Sequence, residues 1–156
     1  MAAAEWTIQG ARHAGITVAD LDRSLDFYCG RLGLELRLRR LYEEREIAEI
    51  VDVPEAAAFD IAFLRIPGSD VEIELIEYRG CERRGWDGRP CDPGTGHFAL
   101  LVDDIEAFHA DLAERGVVFR SNAPVELRSG PRRGGKSVYL HDPDGYIIEL
   151  SQRPPA

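Results

Sequence analysis

The chain has 156 residues, of which 44% are apolar and 30% charged, and it carries a formal net charge of −9. That composition fits one ordinary domain or two small modules and argues against disorder, and the acidic balance excludes a general nucleic-acid-binding role because phosphate backbones are repelled. No apolar run reaches the roughly 20 residues that span a bilayer; the N-terminus MAAAEWTIQG lacks the basic and apolar regions of a signal peptide, and Cys29, Cys81 and Cys91 show no CxxC spacing, so a cytoplasmic protein with free thiols is expected.

In chain order, residues 12–18 alternate as a strand. Asp20 suits the N-cap of a helix to about residue 31, with Leu21, Leu25, Tyr28 and Leu32 on one face and Gly33 at the C-cap. Strands are predicted near 34–42, 59–66 and 71–78. Between them, Ile47, Ile50 and Val51 suit a short helix that Pro54 ends. The stretch 79–96, rich in Gly, Pro and Arg, reads as loop. A strand at 97–102, a helix at 104–115 behind Asp104, and strands near 117–121, 137–141 and 146–151 follow. Asp142-Pro143-Asp144-Gly145 closes the last two as a hairpin.

This order is an internal repeat. His97 stands 84 residues after His13, and at that offset Val18 meets Val102, Asp20 meets Asp104 and Leu21 meets Ile105. Both copies end in the same strand core, Ile73-Glu74-Leu75 and Ile148-Glu149-Leu150. Two copies of this length do not make a solenoid. The expected organisation is a single 1–156 domain made of module 10–78 and module 95–152, joined by loop 79–94.

Strand side chains alternate faces. In four strands one face is bulky and apolar, and the other carries His13, Glu74, His97 or Glu149 at matched points of the two modules. Imidazole nitrogens and carboxylate oxygens together suit a divalent cation: Zn, Ni, Co, Fe(II) or Mn(II). No thiolate joins the set, which argues against a structural zinc knot. A His–carboxylate pairing kept for structural reasons is the competing reading. A cation with open positions could bind two neighbouring substrate oxygens and stabilise an enediolate, while Glu74 or Glu149 shuttles the proton.

The stretches HAGITVADLDRSLDFY, VEIELIEY, GHFALLVDDIEA and DPDGYIIEL resemble the vicinal oxygen chelate superfamily, which includes glyoxalase I, methylmalonyl-CoA epimerase, bleomycin and fosfomycin resistance proteins and extradiol dioxygenases. The resemblance implies an α+β fold, two βαβββ modules forming a cup-shaped mixed sheet with helices on the outer face around a divalent metal. It implies His13, Glu74, His97 and Glu149 as ligands, Glu74 and Glu149 as proton carriers, a small-molecule substrate and a homodimer. One departure stands out. Glyoxalase I carries glutathione-binding arginines four residues after its first ligand and four before its third; Thr17 and Pro93 occupy those places here, which argues against glutathione. The implied activity is a metal-dependent lyase or isomerase. The alternatives are an Fe(II) or Mn(II) extradiol dioxygenase and a non-catalytic drug-binding protein; the full quartet favours the first reading.

Further candidates surround this set. Ile76 and Tyr78 share the face of Glu74 and, with Thr17, could line a substrate pocket. Loop 128–136 is basic in an acidic chain, and its Arg132, Arg133 and Lys136, the only lysine, could capture a carboxylate or phosphate. Trp86 and Arg83 could form a lid, although interface packing suits Trp86 slightly better. His109 and His141 read as structural or surface residues.

Overall fold

The computed structural model describes residues 7–155; Met1 to Trp6 of the N-terminus, on which the absence of a signal peptide was read, lie outside them. The chain divides into two compact units, residues 1–82 and 83–156. Each holds its own four-stranded mixed sheet. Among the described residues no helix is long and apolar enough to cross a membrane.

The first unit runs β1 (His13–Thr17), α1 (Leu21–Tyr28), β2 (Glu35–Tyr42), α2 (Arg45–Val51), β3 (Ala58–Arg65) and β4 (Glu72–Arg79). The sheet order is β1-β4-β3-β2, with β1 parallel to β4 and the other pairs antiparallel. Alternation decides the faces. Ile16, Ile73, Leu75, Ala62 and Leu64 are buried on the side that takes α1, against Leu21 and Tyr28. The helix starts where expected: the Asp20 carboxylate accepts from Arg23 N at 2.9 Å, satisfying an N–H that no helical carbonyl can reach. The helix proper ends at Tyr28 with Cys29 as its cap, and Gly33 follows in the left-handed region at φ 78°. On the other face α2 lays Ala48 against Phe59, Ile61 and Phe63 of β3, with Ile76 and Tyr78 beside them. This helix ends at Asp52 in the left-handed conformation, φ 54°, two residues ahead of the expected stop at Pro54.

The second unit runs β5 (His97–Leu101), α3 (Ile105–Glu114), β6 (Val125–Glu126), β7 (Lys136–His141) and β8 (Ile147–Gln152), in sheet order β5-β8-β7-β6. It repeats the first: β5 is parallel to β8, and Asp104 caps α3 by accepting from Ala107 N at 3.0 Å. The first N–H of each helix is satisfied alike, Leu21 N donating to Glu77 Oε2 at 2.9 Å and Ile105 N to Gln152 Oε1 at 2.7 Å. The expected strand at 117–121 does not form. Arg120 N donates to Tyr139 O and His141 N to Val118 O, giving a single bridge at Phe119 and Leu140. Ser121 Oγ then donates to Ala123 O, and Pro124 supplies no N–H, so the ladder is interrupted before β6.

Candidate metal centre

β1 and β4 bring the first pair together. The register sets Gly15 opposite Glu74. Because residue 15 has no side chain, the carboxylate lies over the strand: a Cβ there would meet Glu74 Oε2 at 3.4 Å. His13, two residues away on the same face, reaches the same oxygen through Nε2 at 3.2 Å. Phe63, opposite Glu74 on β3, packs edge-on against the His13 ring at 5.6 Å.

The second pair is built the same way. Ala99 faces Glu149 in the β5–β8 ladder, and His97 Nε2 lies 3.3 Å from Glu149 Oε2. Tyr139, opposite Glu149 on β7, tilts against the His97 ring at 5.0 Å, and its hydroxyl lies 3.1 Å from His97 Nε2. Ser137 Oγ donates to Glu149 Oε1 at 2.5 Å. Glu149 is buried, with 9% of its side chain accessible, and its neighbour Arg132 is exposed with Nη1 3.9 Å from Oε1. Burial and the Glu149 charge raise the pKa of Tyr139 above the usual phenol value; burial, then the charge of Glu74, does the same to Tyr78.

The donor chemistry fits a divalent cation. In both units an imidazole Nε2 and a carboxylate Oε2 face one another, and the carboxylate is largely buried, an environment that favours replacing the shared contact with a cation. Each unit presents two such donors. Among the described residues no three His, Cys, Asp or Glu side chains lie close enough to hold a metal ion together, so the expected quartet stands as two pairs.

The remaining candidates scatter. Thr17 pairs with Ile76 across β1 and β4. Ile76 and Tyr78 pack into the apolar cluster under α2, with the Tyr78 and Phe59 rings 5.1 Å apart. The basic loop is divided: Arg132 leans toward Glu149, Arg133 is exposed, and Lys136, one residue from Ser137 and therefore on the opposite face of β7, makes an ion pair with Glu106 of α3. Trp86 folds over its own loop, where a Cβ at Gly88 would strike the indole at 2.3 Å. His141 receives structural partners at a hairpin, Nδ1 at 2.9 Å from Gly145 O and Nε2 at 3.1 Å from Arg120, and the His109 ring is tilted against that of Phe119 at 4.2 Å. The three cysteines are free. Ser137 and Tyr139 were missed by sequence reasoning, although alternation along β7 sets both on the face of Glu149 and would have found them.

Comparison with known proteins agrees with this architecture. A family model described as the Glyoxalase/Bleomycin resistance protein/Dioxygenase superfamily matches residues 10–150. Over 142 residues the chain is 34% identical to a protein of Synechocystis sp. named probable lactoylglutathione lyase, covering 90% of this chain and 92% of that one. It is 31% identical over 144 residues to an Actinomyces sp. protein named 2-epi-5-epi-valiolone epimerase, covering 91% and 78%. In fold it is similar to the crystal structure of a glyoxalase family protein from Bacillus cereus, with TM-score 0.82 at 18% identity, covering 99% of this chain and all of that one. A βαβββ plan repeated in two units, a His–Glu pair at the same point of each, and a family match over nearly the whole chain lead to one assignment: the chain belongs to the glyoxalase/bleomycin resistance protein/dioxygenase superfamily.

Proposed function

We propose that this chain is a divalent-metal-dependent enzyme of the lyase or isomerase kind, moving a proton on a small substrate with neighbouring oxygens. The observation that carries the reading is the matched placement of His13 with Glu74 and His97 with Glu149, each with Nε2 facing Oε2 within 3.3 Å. These four side chains are the candidate donors to a divalent cation: Ni, Zn, Co, Fe or Mn. When bound, such a cation supplies Lewis acidity toward adjacent substrate oxygens. The names of the Synechocystis and Actinomyces relatives, a lyase and an epimerase, support the same reaction class.

The protein's own groups do the proton work. Glu74 and Glu149 are the bases within reach of a substrate bound beside the pairs, and their burial strengthens each local interaction. Thr17 and Pro93 stand where glutathione-binding arginines would be, so a substrate without glutathione is favoured, acting in a homodimer. Four intact donors favour proton transfer over the ring-cleaving reading, which needs three, and over drug sequestration, which needs none.

The test is metal reconstitution of the purified protein with Ni, Zn, Co, Mn and Fe(II), followed by incubation with hydroxy-ketones and hemithioacetals in D2O. The expected result is one metal per chain and solvent deuterium at the carbon beside the carbonyl. His13→Ala should lower the bound metal strongly, because it removes one of the proposed ligands. Wild-type metal content in that variant, or no exchange with any substrate of the panel, overturns the reading.

A further inference from the structure

The repeat supplies an internal comparison between the two pairs. By strand register Phe63 and Tyr139 hold equivalent places, opposite Glu74 and Glu149. Two residues earlier, Ile61 lies opposite Ile76 and Ser137 opposite Ser151, so Ile61 and Ser137 are counterparts as well. Around Glu74 these positions are apolar; around Glu149 both carry hydroxyls. The backbone is repeated and the chemistry is not.

Ser137 divides the two oxygens of Glu149. Its hydroxyl is 2.5 Å from Oε1 and 3.1 Å from the main-chain oxygen of Leu150. A hydroxyl has one proton to give, and the shorter contact to a charged oxygen takes it, at a length typical of charge-assisted O–H···O⁻ bonds. Oε2 of the same carboxylate is left facing His97 Nε2. The Arg132 guanidinium, at 3.9 Å, adds positive charge on the Oε1 side. In the first unit the buried Ile61 side chain has no proton to donate to Glu74.

The geometry points to Ser137 as a positioning residue: it holds Glu149 by Oε1 and leaves Oε2 free to ligate a metal beside His97, so the second unit's pair is the better preorganised of the two. This rests on the metal-binding reading above. Hydrogen-bond partners of metal ligands fix ligand orientation, and removing one commonly costs 10–100-fold in affinity.

Thr and Val have nearly the same shape and both suit a strand, but only Thr keeps the hydroxyl. Co(II) affinity is measured by competition with a chromophoric chelator for the wild type, Ser137→Thr and Ser137→Val, with the visible Co(II) spectrum recorded for each and circular dichroism confirming the fold. Ser137→Val is expected to bind Co(II) at least roughly tenfold more weakly with an altered spectrum, while Ser137→Thr stays within about threefold of wild type. If Ser137→Val does not fold, Ser137→Ala takes its place against Ser137→Thr. Equal affinities for the Thr variant and the hydroxyl-free variant overturn the role of Ser137 and leave the metal site standing. A wild-type protein that binds no Co(II) overturns the metal reading, and this inference with it.

Discussion

Asp60 shows how much one side chain can organise. It is 5% exposed on the α1 side of β3, takes two hydrogen bonds from Arg39 at 3.2 and 2.9 Å and one from Arg79 at 2.6 Å, and Arg39 reaches on to Asp22. The Arg39 hydrogen bonds, then the charges of Arg39 and Arg79, hold its pKa below the usual carboxylate value. A depressed pKa contributes stability that is fully present above the unfolded value and is lost as pH falls through the folded one. Asp60→Ala should therefore cost about 2 kcal/mol at neutral pH, and the gap from wild type should close in acid below about pH 4; urea unfolding across that range checks both. At the proposed site, Glu149→Ala and His97→Ala should empty the metal while the circular dichroism spectrum survives, and Lys136→Ala, on the helix-facing side of β7, should leave metal content unchanged, as read by elemental analysis. The facing of His13 with Glu74 and of His97 with Glu149 could be anticipated because these residues recur at matched points of a repeat. Ser137 and Tyr139 were overlooked because their counterparts in the other copy are Ile61 and Phe63, so they break the repeat even though alternation along β7 places them on the face of Glu149.

At the level of elements, the caps and strand cores were the most legible features, since each depends on a few local contacts. Asp104→Ala should lower stability by about 1 kcal/mol in urea titration, the usual loss of an N-cap. The end of α2 was harder to place. Pro54 marked a limit to the helix, but the stop itself is Asp52 turning left-handed, with its N–H donating back to Ala48 and Glu49 carbonyls. A residue with a Cβ is strained there. Asp52→Gly should raise stability by about 0.5 kcal/mol, measured as a higher urea midpoint. The segment 117–121 was misread as a strand because Val117, Val118 and Phe119 favour β structure. What decides it is the supply of backbone partners: two hydrogen bonds to β7 are made, then Ser121 turns the chain and Pro124 withholds a donor.

For the whole molecule, the duplication was the most informative reading, because one plan of strand, helix and three strands explained both halves at once. The two expected βαβββ modules are present as two four-stranded mixed sheets with the same strand order; sequence alternation specifies which face a side chain takes, not which strand edges meet. The proposed homodimer is checked by light scattering, with a mass twice that of the chain expected. The two units also differ at a place unconnected with catalysis. One edge strand of the second sheet, β6, has two residues, too few to template another chain, whereas its counterpart β2 in the first has eight and leaves Leu36, Leu38 and Leu41 exposed. Arg37, Arg39 and Arg40 interrupt those leucines, and an irregular register between Leu36 and Leu38 twists the strand. Such charges and bulges keep a free strand from recruiting neighbours. The colloidal behaviour of this protein should thus depend on Arg37 and Arg40: with both replaced by Val, turbidity on concentration should rise well before thermal unfolding begins.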